Sequence, residues 1–232
     1  MKPQQNKQTN VVILGGGYAG ILAAIRLAGK VRKTNTQITL VNGSANFAER
    51  IRMHQLAVNQ TLKDRPIARL LPEQNARFCQ GWVSHVDAKA QIVQVQTASD
   101  NQSLAYDYLI YALGSATDMQ SVPGVSEFAY DVSSVQAATR LQAALIKARA
   151  HQGRVLIVGG GLTGIEAATE IAETYPTLQV TLATQGTLGG ALSRKGAHYL
   201  RQVLEQLDID FVEQARVTAL AEDHALCADG RT

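Results

Sequence analysis

Two stretches of this sequence share one pattern. Residues 11–20 read VVILGGGYAG and residues 155–164 read VLIVGGGLTG. In each, an apolar run breaks into G-x-G-x-x-G and continues as an alanine-rich segment. The chemistry of such a pattern is geometric. Gly15 permits the sharp turn that leaves a strand, Gly17 keeps the backbone open to a pyrophosphate, and Gly20 lets helix and strand approach closely. Gly159, Gly161 and Gly164 stand at the same offsets. Tyr18 and Ala19 in the first copy, and Leu162 and Thr163 in the second, open a helix whose free N–H groups and positive dipole end suit phosphate. One match is weak, because glycines also make ordinary turns. Two matches, each after a strand and before a helix, point to a chain that cradles two dinucleotides.

The elements around these loops agree with that reading. Residues 11–14 are apolar without alternation, as in a parallel strand covered on both faces. A helix is expected over 19–28, stopping near Gly29, and a second strand over 37–41. The second copy repeats the plan with a strand at 155–158, a helix at 162–174 ended by Pro176, and a strand at 179–183. Between them, 77–87 and 91–96 read as consecutive strands joined by a turn at 88–90. Residues 104–106 and 108–112 continue the pattern, which suggests an antiparallel insert and a return to the main sheet. Residues 122–124, Val-Pro-Gly, mark a turn. A helix over 134–150 follows, capped by Ser133 or Ser134. Another helix is expected over 193–207, with strands at 210–213 and 216–220. Asp229-Gly230 is a hairpin-turn signal with two residues after it, so the sequence reads as a piece of a longer protein. The expected fold is α/β: two Rossmann-like three-layer dinucleotide-binding domains, the first with an antiparallel β insert, the second incomplete. The division is a polar tail at 1–10, a first domain at 11–121, a connecting segment with a helix at 122–153, and a second domain at 154–232.

Composition narrows the function classes. Hydrophobic residues make up 46% of 232, enough for a core. The net charge of +3 comes from scattered basic residues, which argues against nucleic acid as a partner. No apolar run reaches the roughly 18 residues of a transmembrane helix, and the first ten residues lack a signal peptide's apolar core. A cytoplasmic protein is expected. Cys79 and Cys227 are the two cysteines, without C-x-x-C, so neither a disulfide framework nor a metal site is expected. The usual fingerprint ends its second strand in an acid that holds a ribose. Here Asn42 and Thr184 take those places. Asparagine accepts a ribose hydroxyl bond without charge. Nothing at Thr184 excludes or welcomes a 2′-phosphate, so NADH and NADPH both stay open.

A further set of motifs is more specific. Residues 106–118 read YDYLIYALGSATD and residues 47–60 read FAERIRMHQLAVNQ. With GGGYAG, the strand end at Asn42 and GGGLTGIEAA, they resemble the flavoprotein reductases of the pyridine nucleotide–disulfide oxidoreductase fold family. Within it the chain is most similar to type II NADH dehydrogenase-like flavoproteins. The resemblance implies FAD on the first cradle and NADH or NADPH on the second. Gly15, Gly17 and Gly20 would then meet the FAD pyrophosphate, Asn42 the adenosine ribose, and the Val83 backbone the adenine. Ala112, Leu113 and Gly114 match the family's turn near the flavin, with Leu113 replacing a threonine. Gly159, Gly161, Gly164 and Thr184 would hold the nicotinamide dinucleotide.

Glu166 falls where the family places a glutamate near the nicotinamide–flavin junction; an acid favoured by the helix dipole is the simpler alternative. Arg50 and His54 would share a face if their segment is helical, either as cations beside a flavin or as a surface pair. Trp82 reads as a packing residue. The cysteines are too far apart in sequence for the family's dithiol chemistry. A flavin-only, FAD-dependent NAD(P)H oxidoreductase is therefore expected, passing electrons to a small-molecule acceptor, by resemblance a quinone. In a longer protein, peripheral contact with the inner face of a membrane is implied. A non-catalytic nucleotide-binding fragment and a redox-sensing flavoprotein are the alternatives.

Overall fold

The computed structural model describes residues 7–232; the first six residues of the expected polar tail lie outside the described residues. The elements begin with β1 (Thr9–Leu14), α1 (Tyr18–Lys30), β2 (Thr36–Asn42), a 3-10 turn at Arg50–Arg52, α2 (Met53–Ala57) and α3 (Ile67–Leu70). Next come β3 (Ala76–Gln80), β4 (Trp82–Asp87), β5 (Ile92–Gln96), β6 (Asn101–Ala105), β7 (Tyr108–Tyr111) and α4 (Val125–Phe128). The remainder is α5 (Val135–Ala150), β8 (Arg154–Val158), α6 (Leu162–Thr174), β9 (Gln179–Ala183), α7 (Arg194–Gln206), β10 (Ile209–Val212), β11 (Val217–Leu220) and β12 (Ala225–Cys227). Contacts divide the chain into two units. One holds the residues up to Glu49 and Lys63–Ser115, the other Arg50–Leu62 and Ala116–Thr232.

The first unit has a parallel sheet in the order β3-β2-β1-β7. Successive side chains of a strand point to opposite faces. In β1, Val11 and Ile13 pack with Ile21, Ala24 and Ala28 of α1, while Val12 and Leu14 pack with Val93 and Val95 of β5. Both faces of β1 are thus covered, which is why its apolar run shows no alternation. The second cover is the antiparallel sheet β4-β5-β6, and β7 then returns to pair with β1. The expected single strand at 77–87 is two strands in different sheets. Gly81 makes the break: a Cβ there would lie 2.5 Å from Val95 Cγ1 and 2.7 Å from the Gln96 carbonyl oxygen. α1 ends near Gly29, as expected. The helix runs on to Lys30, and the Val31 N–H closes it on the Leu27 carbonyl.

The second unit has a parallel sheet in the order β10-β9-β8. Ala168, Ile171 and Ala172 of α6 pack with Val180 and Leu182 of β9 and Leu204 of α7. Pro176 follows the end of α6, where the Tyr175 N–H still reaches the Ile171 carbonyl. Ser134 caps α5 by accepting the Ala137 N–H at 3.1 Å, and Ser193 caps α7 by accepting the Gly196 N–H at 3.2 Å. Met53 and Ala57 of α2 are buried with Ala138 of α5, which ties the segment between β2 and α3 to this unit. β11 pairs with β12, a strand absent from the sequence reading. The Asp229-Gly230 turn closes locally, with the Cys227 N–H donating to the Arg231 carbonyl at 2.8 Å.

The glycines make the packing testable. A Cβ at Gly164 would stand 1.9 Å from the Gly159 carbonyl oxygen, whereas one at Gly29 meets nothing within 4 Å. Gly164→Ala is expected to lower unfolding free energy by about 1–3 kcal/mol through overpacking. Gly29→Ala should raise it by about 0.5–1 kcal/mol by relieving helical glycine entropy. Denaturant midpoints of the two variants check the opposite signs.

Candidate functional site

Each cradle is a strand end, a loop of three glycines and a helix N-terminus. In the first, Gly15 has φ +101°, and a Cβ on it would strike the Ala112 carbonyl oxygen at 2.1 Å. The Ala112 N–H in turn donates to the Leu14 carbonyl at 2.8 Å. The structure thus brings Ala112 and Leu113, at the end of β7, against the first loop. Gly114 follows with φ +78°. Gly20 sits over the Gly15 carbonyl oxygen, where a Cβ would come within 1.8 Å. The second copy repeats this with Gly164 over Gly159, and Gly159 has φ +119°. No contact like that of Ala112 on Gly15 crowds Gly159, whose Cβ would meet nothing within 4 Å.

Gly17 and Gly161 behave differently. Their backbones are extended, with φ −81° and ψ −171° at Gly17 and φ −78° and ψ 177° at Gly161, angles open to any residue. A Cβ at either would meet nothing within 4 Å. Neither the backbone nor the packing of the chain needs glycine there. Each stands at a helix N-terminus, where the first N–H groups have no intrahelical partner. Tyr18 and Ala19 begin α1 in exposed positions, and Leu162 and Thr163 do the same for α6. The Tyr18 ring stacks edge-on against Phe47 at 4.9 Å between centroids.

The strand-end residues are engaged with their loops. Asn42 Oδ1 accepts the Gly16 N–H at 2.9 Å, and Asn42 Nδ2 donates to the Ser44 carbonyl at 2.9 Å. The amide keeps a second lone pair and a second N–H for a ribose. Thr184 is buried against Gly160, where a Cβ would lie 2.7 Å from its Oγ1. Gly16 and Gly160 were missed in the sequence reading, although the GGG triplet carries them. Each is required because the strand-end side chain lies against it. Val83 pairs with Val95 and packs into the core between the two sheets of its unit. Trp82 lies on Gly43, just past β2, with its indole 2.5 Å from where a Cβ would be.

The second unit also assembles a cluster that the spacing did not reveal. His54 is buried, with Nδ1 3.6 Å from Glu166 Oε2 and Nε2 4.0 Å from Glu170 Oε1. Glu170 also accepts the Gln60 amide at 2.7 Å. The shared helical face expected of Arg50 and His54 does not form. Arg50 lies exposed in the 3-10 turn, and Arg52 breaks the path with φ −115° and ψ 12° before α2 begins at Met53. Arg50 belongs by its contacts to the second unit.

Both cysteines are free. Burial pushes the Cys79 thiol above its ordinary value, against a smaller lowering by Arg77, so the neutral thiol prevails at pH 7. Among the described residues no acid, histidine and cysteine cluster could hold a metal, and no helix is long and apolar enough to cross a membrane.

Comparison with known proteins fits this geometry. Residues 9–232 match the family described as Pyridine nucleotide-disulphide oxidoreductase. The chain is 27% identical over 215 residues to the NADH dehydrogenase-like protein YutJ of Bacillus subtilis, covering 91% of this chain and 59% of that protein. It is 26% identical to the Type II NADH:quinone oxidoreductase of Staphylococcus haemolyticus, over 72% of this chain and 44% of the relative. The structure of NDH2 from Plasmodium falciparum in complex with NADH aligns with a TM-score of 0.80 at 19% identity, over 97% of this chain and 52% of that one. At that identity the likeness is one of fold. The chain spans less than two thirds of the length of each of these proteins. With a family match over all but the first eight residues and two glycine cradles of one design, the chain belongs to the pyridine nucleotide-disulphide oxidoreductase family.

Proposed function

We propose that the chain carries the two dinucleotide sites of a FAD-dependent NAD(P)H oxidoreductase. The observation that supports this best is the pair Gly17 and Gly161, bare where nothing in the protein requires it. The cradle in 11–121 takes FAD and the cradle in 154–232 takes NADH or NADPH, with 122–153 connecting them in sequence. The N–H groups at the start of α1 and α6 hold the pyrophosphates. Asn42 offers its remaining lone pair to a ribose hydroxyl, and Ala112, Leu113 and Gly114 shape the loop edge beside Gly15. Bound FAD supplies a hydride acceptor that hands electrons onward, while the protein sets position and charge. Glu166, half exposed one turn into α6, orients the nicotinamide end. Thr184 carries no charge to reject a 2′-phosphate, so the site admits either nicotinamide dinucleotide.

A quinone is the acceptor we favour, because a relative covering 72% of the chain is named an NADH:quinone oxidoreductase. A quinone acceptor fits a protein that works in the cytoplasm at a membrane surface.

Purified protein should be yellow, or become so with added FAD, and its visible flavin band should bleach under anaerobic NADH or NADPH. A colourless sample that cannot be reconstituted would sink the enzyme reading and leave a non-catalytic fragment. A yellow sample inert to both donors would favour a sensor. Gly17→Val should abolish FAD retention and Gly161→Val nicotinamide binding, each lowering the unfolding free energy of the ligand-free protein by no more than about 2 kcal/mol, the cost of a poorer N-cap. Full retention in either variant contradicts that cradle's assignment. Cys79→Ser should leave flavin bleaching unchanged, and alkylation of Cys79 should be slow at neutral pH and speed up only above the ordinary thiol range.

A further inference from the structure

Glu166 and Glu170 stand four residues apart on α6, an arrangement in which like charges repel. His54 fills the space between them from α2, with one ring nitrogen toward each carboxylate. The two acids are not held alike. Glu170 is 20% exposed and has amide partners of its own: Gln60 at 2.7 Å and Gln55 at 3.5 Å, the latter braced by Arg52. Glu166 is 51% exposed, with the His54 Nδ1 3.6 Å from its Oε2. The other helix packed on α2 is α5, which presents Ala138 and Leu141 there, with the Gln142 amide reaching the Leu56 carbonyl. Arg140 of α5 acts on Asp131. The charges facing the imidazole from α5 and α6 are therefore the two glutamates.

A neutral imidazole has one N–H to donate, whereas the cation has two. With Glu170 already supported by amides, the second N–H matters chiefly to Glu166. We propose that His54 is a positioning residue for the second cradle. Its cationic form fixes the Glu166 carboxylate and so makes binding of the nicotinamide end dependent on pH. This rests on the reading that the second cradle holds a nicotinamide dinucleotide. The device joins residues far apart in sequence, since residue 54 lies between β2 and α3 and Glu166 lies on α6. Affinity is highest when the ring is charged and falls as the pH rises and the ring loses its proton.

The test is equilibrium binding to the purified chain, its flavin reduced beforehand under anaerobic conditions so that no hydride is transferred, followed by NADH fluorescence between about pH 6 and 8.5. ADP-ribose serves as a control that has the same phosphates but no nicotinamide. Wild-type affinity for NADH should fall about fivefold or more across that range, with ADP-ribose affinity changing less than half as much. His54→Gln, which keeps a neutral donor, should bind NADH with a flat pH profile. Glu166→Gln should flatten it too, and the double variant should be no weaker than the weaker single one. If His54→Gln does not fold, Glu166→Gln alone decides, because its side chain is half exposed. A pH dependence that survives either substitution, or that ADP-ribose shares in full, overturns the positioning role while leaving the cradle intact. Failure of wild type to bind either NADH or NADPH at any pH overturns the cradle assignment and this proposal with it.

Discussion

The structure depends on one contact, made twice: a helix resting on the carbonyl oxygen of the strand-to-loop turn. Gly20 lies over Gly15 and Gly164 over Gly159, so close that a single added carbon would meet the oxygen at 1.8 and 1.9 Å. That closeness brings the start of α1 to the end of β1 and the start of α6 to the end of β8. The free N–H groups of each helix then open at the loop, where a phosphate is favoured by hydrogen bonding and by the dipole. The apolar packing behind each loop serves this approach. Ala24 and Ala28 in α1, and Ala168 and Ala172 in α6, are small enough to let each helix lie close to its sheet.

The cradles share this contact but differ around it. The first loop is pinned from the side by Ala112 and Leu113 where β7 ends, and from the strand end by Asn42. The second has a buried threonine at the strand end and no neighbour on Gly159. The first loop is thus held by two further strands of its unit, β7 and β2. The helix that follows the second loop, α6, carries Glu166 and Glu170, with His54 of α2 between them. Two sites of one design have acquired different surroundings, as two different dinucleotides would require.

Much of this was legible in the sequence, for physical reasons. The glycine offsets and the unalternating strands follow from local sterics and two-sided burial, which act within a few residues. α6 and β9 were read to the residue because Pro176 and the alanine-rich face mark them. The misreadings share one cause. The break at Gly81 is set by Val95, fourteen residues on. Most telling is α2. Arg50 and His54 look like a helical pair by spacing, yet burial of Met53 and Ala57 against α5 decides which way His54 faces. The His54–Glu166 contact spans more than a hundred residues of sequence, so no local pattern announces it.

On this reading the two cradles hold two different dinucleotides at the same time. Its most direct measurement is the stoichiometry of FAD and NADH bound together, by equilibrium dialysis with each in excess under conditions that prevent turnover. One of each per chain is expected, with neither displacing the other. Competition between them for a single site, or two equivalents of the same dinucleotide, would contradict it.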